Sequence, residues 1–193
     1  MDLSKLNKEQ KIAVEHKKGP LLVLSGAGTG KTRVLTSRFV YIVKNLNVNF
    51  SKIIAVTFTN KAANEIKERV NAELQSSIDT PWIGTFHSIF AKFLRKHSNL
   101  VNLKSNFTIL DIEDQKKLLK QVLDYCKIDK DINEGIYHNE IQNLKDNKIL
   151  FNENKKISKF SSIERLDDIY SYYQQRLIEM NAVDFGDILL HSY

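Results

Sequence analysis

Lys31 and Thr32 close the run Ser25-Gly26-Ala27-Gly28-Thr29-Gly30-Lys31-Thr32, a spacing that suits the binding of phosphate. Glycines at 26, 28 and 30 let the backbone turn sharply and aim successive N–H groups at one point. A helix starting there adds the positive end of its dipole. Lys31 would bring an ammonium to the β- and γ-phosphates of a nucleotide, and Thr32 a hydroxyl to its Mg²⁺. The strict pattern has Gly where this chain has Ser25. A plain turn between a core strand and a surface helix could share the shape, but it has no need of Lys followed by Thr.

The flanking residues provide the required setting. Leu21-Leu22-Val23-Leu24 reads as a buried strand entering the loop, and Arg33–Val40 reads as the helix leaving it. Ile53–Phe58 and Trp82–Thr85 repeat the rhythm of a short apolar strand followed by a helical pattern. That alternation predicts α/β structure with a mostly parallel sheet. It would gather Ser25–Thr32, Thr59-Asn60-Lys61 and Thr85-Phe86-His87 at the carboxyl edge of that sheet, where ligands of open α/β sheets bind.

Beyond about residue 110 helical periodicity takes over, in Asp111–Tyr125, Glu134–Lys148 and Ser161–Met180. Asp111 with Asp114, and Asp184 with Asp187, resemble helix-capping pairs. Pro20 and Pro81 precede strands, where a missing N–H costs little. The polar stretch Asn143–Lys159 is expected to be a mobile loop. The resulting division is residues 1–88 as an α/β unit and 89–193 as a mainly helical one, with 183–193 returning to the first.

The 193 residues carry 29 Lys and Arg against 23 Asp and Glu, a net charge of +6. This favours a polyanionic partner, though a lysine-rich background raises the charge by itself. A single cysteine, Cys126, excludes an internal disulfide. No Cys/His spacing suits zinc, and His87 lacks a second ligand at helical spacing. No leader is evident at the start and no apolar run reaches membrane-spanning length, so the expected compartment is the cytoplasm, with no membrane partner.

Leu6–Gln10, the loop Ser25–Thr32, Ala55–Ala63 and Trp82–Ser88 together resemble, in order and spacing, the opening motifs of the UvrD/Rep/PcrA helicases of superfamily 1. Phe107–Asp111 and Val183–Leu190 are similar to segments flanking that family's helical insertion. The resemblance covers essentially the whole chain. It implies the fold class α/β, as part of a RecA-like P-loop domain with a parallel sheet, followed by an all-helical insertion domain.

The resemblance also implies a function and its residues. The activity would be ATP-dependent DNA unwinding with 3′-to-5′ travel on single-stranded DNA, with ATP and Mg²⁺ as cofactors and single-stranded DNA and single/double-strand junctions as partners. Lys31 and Thr32 would serve catalysis, with Thr32 on the metal. Gln10, Ser25, Gly26, Ala27, Gly28, Thr29, Gly30 and Arg33 would complete the nucleotide site, with Gln10 reading adenine. As residues alone, Gln10 could be a surface glutamine and Arg33 a solvated helix arginine. Phe58, Thr59 and Asn60, with Thr85, Phe86 and His87, would hold DNA by backbone contacts and base stacking. A strand-end phenylalanine such as Phe58 could equally be core.

Lys61, Lys67, Arg69, Lys92, Arg95 and Lys96 could form a basic rim or merely solvated helix faces. Tyr137, Tyr170, Tyr172 and Tyr173 fall in the helical half, where Tyr170 and Tyr173 at helical spacing suit a core.

No strand bearing an acidic pair for Mg²⁺ and no transition-state arginines follow the family pattern within these residues. By resemblance the chain is therefore an amino-terminal piece whose partner is the remainder of the helicase chain. Turnover is not expected from it alone, and the strand Leu21–Leu24 is expected to lack its usual neighbours. The alternatives are a RecB/AddA-type helicase-nuclease as parent, a stand-alone P-loop phosphotransferase, and a non-catalytic DNA-binding module.

Overall fold

A computed structural model describes residues 4–26, 28–75, 82–128, 133–152, 157 and 161–193. The chain divides into two compact units, Met1–Ile89 and Phe90–Tyr193.

In the first unit, α1 (Lys8–Glu15) starts at Asn7, whose side chain accepts from the backbone N–H of Gln10 while the Gln10 side chain accepts from that of Asn7. This reciprocal cap satisfies two donors that a helix start leaves open. Arg38 of α2 (Lys31–Asn45) closes the other end of α1, donating to the carbonyls of Ala13, Val14 and His16 at 2.9, 3.2 and 2.7 Å. α2 also packs on α3 (Asn60–Leu74). β1 (Ala55–Thr57) and β2 (Ile83–Thr85) pair in parallel, with Thr57 opposite Thr85. Phe39, Ala55, Ile66, Val70 and Ile83 form the core beneath them.

Two expectations for this unit need correction. Leu21–Leu24 joins no sheet among the described residues, and Leu22 and Leu24 are 81% and 84% exposed. An apolar run becomes a strand only when a neighbour takes its backbone hydrogen bonds. The two paired strands are also shorter than their apolar runs. Pro81 lies outside the described residues.

The boundary between the units falls within α4 (Phe86–Lys96). In the second unit α5 (Ile112–Tyr125), α6 (Glu134–Asp146) and α7 (Leu166–Glu179) pack around Leu119, Ile141, Leu144, Ile169, Tyr170 and Tyr173. Tyr137, Tyr170 and Tyr173 are fully buried core residues. Tyr137 and Tyr170 anchor their hydroxyls on the carbonyls of Glu164 and Ile149, both at 3.1 Å. That removes the penalty of burying a phenol unpaired.

The second unit is not all-helical. β3 (Thr108–Ile109) pairs in parallel with β4 (Ala182–Val183), and α8 (Phe185–Leu190) follows. Two-residue strands carry too little periodicity to stand out in a sequence. Asp184 and Asp187 form a full capping box for α8, while Asp111 caps α5 from one side only. Asn143–Asp146 belong to α6 rather than to a loop, and of the remainder of the expected mobile stretch 153–156 and 158–159 lie outside the described residues.

α8 lies close against α6. A Cβ on Gly186 would meet Gln142 Oε1 at 2.7 Å and Lys145 Cδ at 2.9 Å. A side chain there would force Gln142 or the buried Lys145 to shift. Among the described residues no helix is long and apolar enough to cross a membrane.

Candidate nucleotide site and nucleic-acid edge

The phosphate loop is organised by its own side chains. Lys31 Nζ donates to the carbonyls of Ser25 at 3.1 Å and Gly26 at 2.7 Å, and Thr29 Oγ1 donates to that of Gly26 at 2.8 Å. Gly28 and Gly30 take φ of 75° and 87°, left-handed values that a side chain would oppose. Ala27 lies outside the described residues.

Gly30 is the N-cap of α2 and makes no side-chain capping bond, and no acidic residue stands in the first turn. The N–H groups that open α2 therefore have no carboxylate of their own first turn or cap competing for them. A helix start of this kind suits an anion. With the exposed Lys31 and the half-buried Thr32 on its first turn, the donor set fits the phosphates and Mg²⁺ of a nucleotide. Arg33 is exposed and lines a cavity of about 290 Å³ with Lys5, Leu6, Ser37, Arg69 and Glu73.

Gln10 is tied to the loop, its Nε2 donating to the Thr29 carbonyl at 3.0 Å. Spacing alone did not reveal that bond. Asn7-x-x-Gln10 is itself a capping-box pattern, so the position of the Gln10 side chain was partly readable.

The second set of residues meets at the ends of β1 and β2. Because the strands are parallel and in register, both following helices begin side by side, and the Phe58 and Phe86 rings approach to 6.2 Å at 56°. Phe58 is 94% exposed and so is not core. Thr59 Oγ1 accepts from the Ala62 N–H and Thr85 Oγ1 from the Ser88 N–H, which leaves each hydroxyl hydrogen able to donate. Asn60 and His87 are exposed at the same turns. These six residues come together. Leu21–Leu24 is not a strand of that sheet, and among the described residues the side-chain hydrogen bonds of Ser25–Thr32 run within the loop and to Gln10.

Among the basic residues, Arg69 pairs with Glu65 at 2.5 Å. Arg95 donates to the carbonyls of Ser105 and Phe107, both at 3.0 Å, and stacks on the Phe107 ring, so its charge is spent on packing.

Residues 6–193 match the model of the UvrD/REP helicase N-terminal domain. The chain belongs to this family. Similar UvrD/REP proteins include the "ATP-dependent DNA helicase PcrA" of Staphylococcus aureus strain Mu50, 38% identical over 190 residues, which cover 97% of this chain and 26% of the relative. That of Staphylococcus epidermidis strain RP62A is 38% identical over 187 residues, covering 96% and 26%. The chain thus spans about a quarter of the length of the curated relatives it matches.

One cluster in this UvrD/REP chain escaped sequence reasoning. Lys145 Nζ lies 2.5 Å from Asp184 Oδ2 and 2.8 Å from Asp187 Oδ1, with all three side chains buried. Gln142 and Tyr173 also donate to Asp184, and Gln174 to Asp187. Burial pushes the Asp184 carboxyl up, but Lys145 and the donors outweigh it and hold it below its ordinary range. Burial pushes Asp187 up, and pushes His191 down against the pull of Asp187. Both carboxylates follow a hydrophobic strand, but here they serve a structural ion pair.

Proposed function

We propose that the chain is the nucleotide- and DNA-binding part of an ATP-dependent DNA helicase that moves 3′ to 5′ along single-stranded DNA, in repair or replication, in the cytoplasm. The observation that carries this is the uncapped start of α2, with Lys31 and Thr32 on its first turn and Gln10 fastened to the loop before it. Lys31 holds the β- and γ-phosphates and Thr32 the Mg²⁺, which supplies charge neutralisation at the transferred phosphate. Ser25, Gly26, Ala27, Gly28, Thr29 and Gly30 cradle the phosphates, Gln10 reads the base, and Arg33 lies near the nucleotide. Family membership and the PcrA relatives support the reading.

Phe58, Thr59, Asn60, Thr85, Phe86 and His87 form the DNA edge: an exposed aromatic pair for stacking, flanked by hydroxyls, an amide and two helix starts for phosphates. Residues 1–88 are the first part of a RecA-like motor domain and 89–193 an insertion beside the single/double-strand junction. The remainder of a helicase chain supplies the acidic pair and arginines of turnover, so this stretch by itself keeps at most a weak hold on ATP and does not hydrolyse it. Equilibrium binding of a fluorescent ATP analogue with Mg²⁺ tests the site. Affinity lost in Lys31→Ala is the expected result. Equal binding by both chains, or steady Lys31-dependent hydrolysis by the 193 residues, overturns it.

A further inference from the structure

Gln10 stands between two structures that the sequence separates. Its Oε1 accepts from the Asn7 N–H at 3.0 Å, and its own N–H donates to Asn7 Oδ1 at 2.8 Å, so the residue is locked into the first turn of α1. From that fixed position Nε2 reaches across 19 residues of sequence to the Thr29 carbonyl at 3.0 Å. Thr29 is held from the other side as well, by its hydroxyl on the Gly26 carbonyl at 2.8 Å.

The next residue explains how the amide comes so near. A Cβ on Gly30 would lie 3.3 Å from Gln10 Nε2, tighter than most such contacts, and the φ of 87° there already disfavours a side chain. Gly30 is also the N-cap of α2, so the carbonyl that Gln10 grips belongs to the peptide unit leading directly into the anion-binding helix start.

We propose that Gln10 is a positioning residue for the phosphate loop, setting the Thr29–Gly30 peptide and thereby the direction of the N–H groups that open α2. The inference rests on the phosphate-binding reading of that loop and goes beyond base recognition. A primary amide offers two hydrogens and two lone pairs. One hydrogen serves Thr29 and one lone pair serves Asn7, which leaves one of each to meet a base edge. Base recognition and loop geometry are therefore coupled through one side chain.

A ligand without a base separates the two roles. Binding of Mg²⁺-tripolyphosphate and of Mg²⁺-ATP is measured by calorimetry for the parent chain, Lys31→Ala, Gln10→Met and Gln10→Glu. Gln10→Glu keeps the acceptor that caps α1 but cannot donate to Thr29, and Gln10→Met removes both bonds without adding charge. Loss of the Gln10–Thr29 hydrogen bond predicts tripolyphosphate binding about fivefold weaker in Gln10→Met and at least that much weaker in Gln10→Glu, whose carboxylate also repels the anion. ATP binding falls further still. Amide hydrogen exchange should quicken across 28–31 in Gln10→Glu while α1 exchanges as in the parent.

Tripolyphosphate binding unchanged in both Gln10 variants confines the residue to base recognition or capping and overturns the proposal. So does unchanged exchange across 28–31 in Gln10→Glu. Failure of the parent chain to bind either ligand better than Lys31→Ala overturns the phosphate-loop reading itself, and the proposal with it.

Discussion

Lys145 places its ammonium 2.5 Å from the carboxylate of Asp184, although 39 residues separate them and both side chains are removed from solvent. Asp187 takes a second face of the same ammonium at 2.8 Å. A buried charge of this kind is stable only while every partner is present.

Removing the cation should therefore cost more than an ordinary surface change. Lys145→Met leaves two carboxylates buried without their counter-charge, and the expected loss is about 3–5 kcal/mol. Urea unfolding followed by circular dichroism measures it. Lys145→Met combined with Asp184→Asn and Asp187→Asn should recover part of the loss, because each Asn keeps one oxygen for the capping box of α8. A triple variant no more stable than the single one would contradict this account.

The same cluster sets a pH dependence. Burial holds His191 below its ordinary 6.5, with Asp187 and Asp184 opposing the shift and Lys145 adding to it. A group depressed on folding binds its proton more readily in the unfolded chain, so its stabilising contribution is complete above 6.5 and fades as pH falls below that value. Asp187, raised by burial, acts in the opposite sense at lower pH. Thermal midpoints of the parent and His191→Gln, compared from pH 7.5 downwards, isolate the histidine. The parent should lose stability faster with acid than the variant does.

Gly186 offers a test of packing against propensity. In an open helix Gly→Ala is worth up to about 1 kcal/mol of stabilisation. Here the added methyl would press on Gln142 Oε1 and Lys145 Cδ, so Gly186→Ala should instead destabilise by about 1–3 kcal/mol. A rise in the denaturation midpoint would mean that α6 and α8 separate at little cost.

Phe58 separates binding from folding. It is 94% exposed, so Phe58→Ala should leave stability within about 0.5 kcal/mol of the parent. On the proposed DNA edge the same change removes a stacking face worth about 1–3 kcal/mol, or roughly tenfold in affinity for a labelled oligothymidine at low salt. Anisotropy titration reads the affinity. Equal binding by parent and variant would detach the Phe58–Phe86 pair from the DNA reading.

What the sequence made legible follows from range. α5 to α7 stand near their expected places because apolar periodicity and caps such as Asp111 act within a few residues. The Ser25–Thr32 loop was legible for the same reason. Lys145 was not, since nothing around it in α6 announces a partner beyond β4. Leu21–Leu24 was half legible: its composition fits a strand, which it does not form, while the expected lack of its usual neighbours holds among the described residues, and strand formation depends on such a neighbour.

Leu22 and Leu24, at 81% and 84% exposure, together with the half-exposed Leu21 and Val23, give the folded chain a greasy strip of the kind that environment-sensitive dyes recognise. Such dyes normally report loosened proteins. A dye-based melting scan of this chain would begin bright and show little rise, so its thermal stability is better followed by tertiary circular dichroism or the intrinsic emission of Trp82.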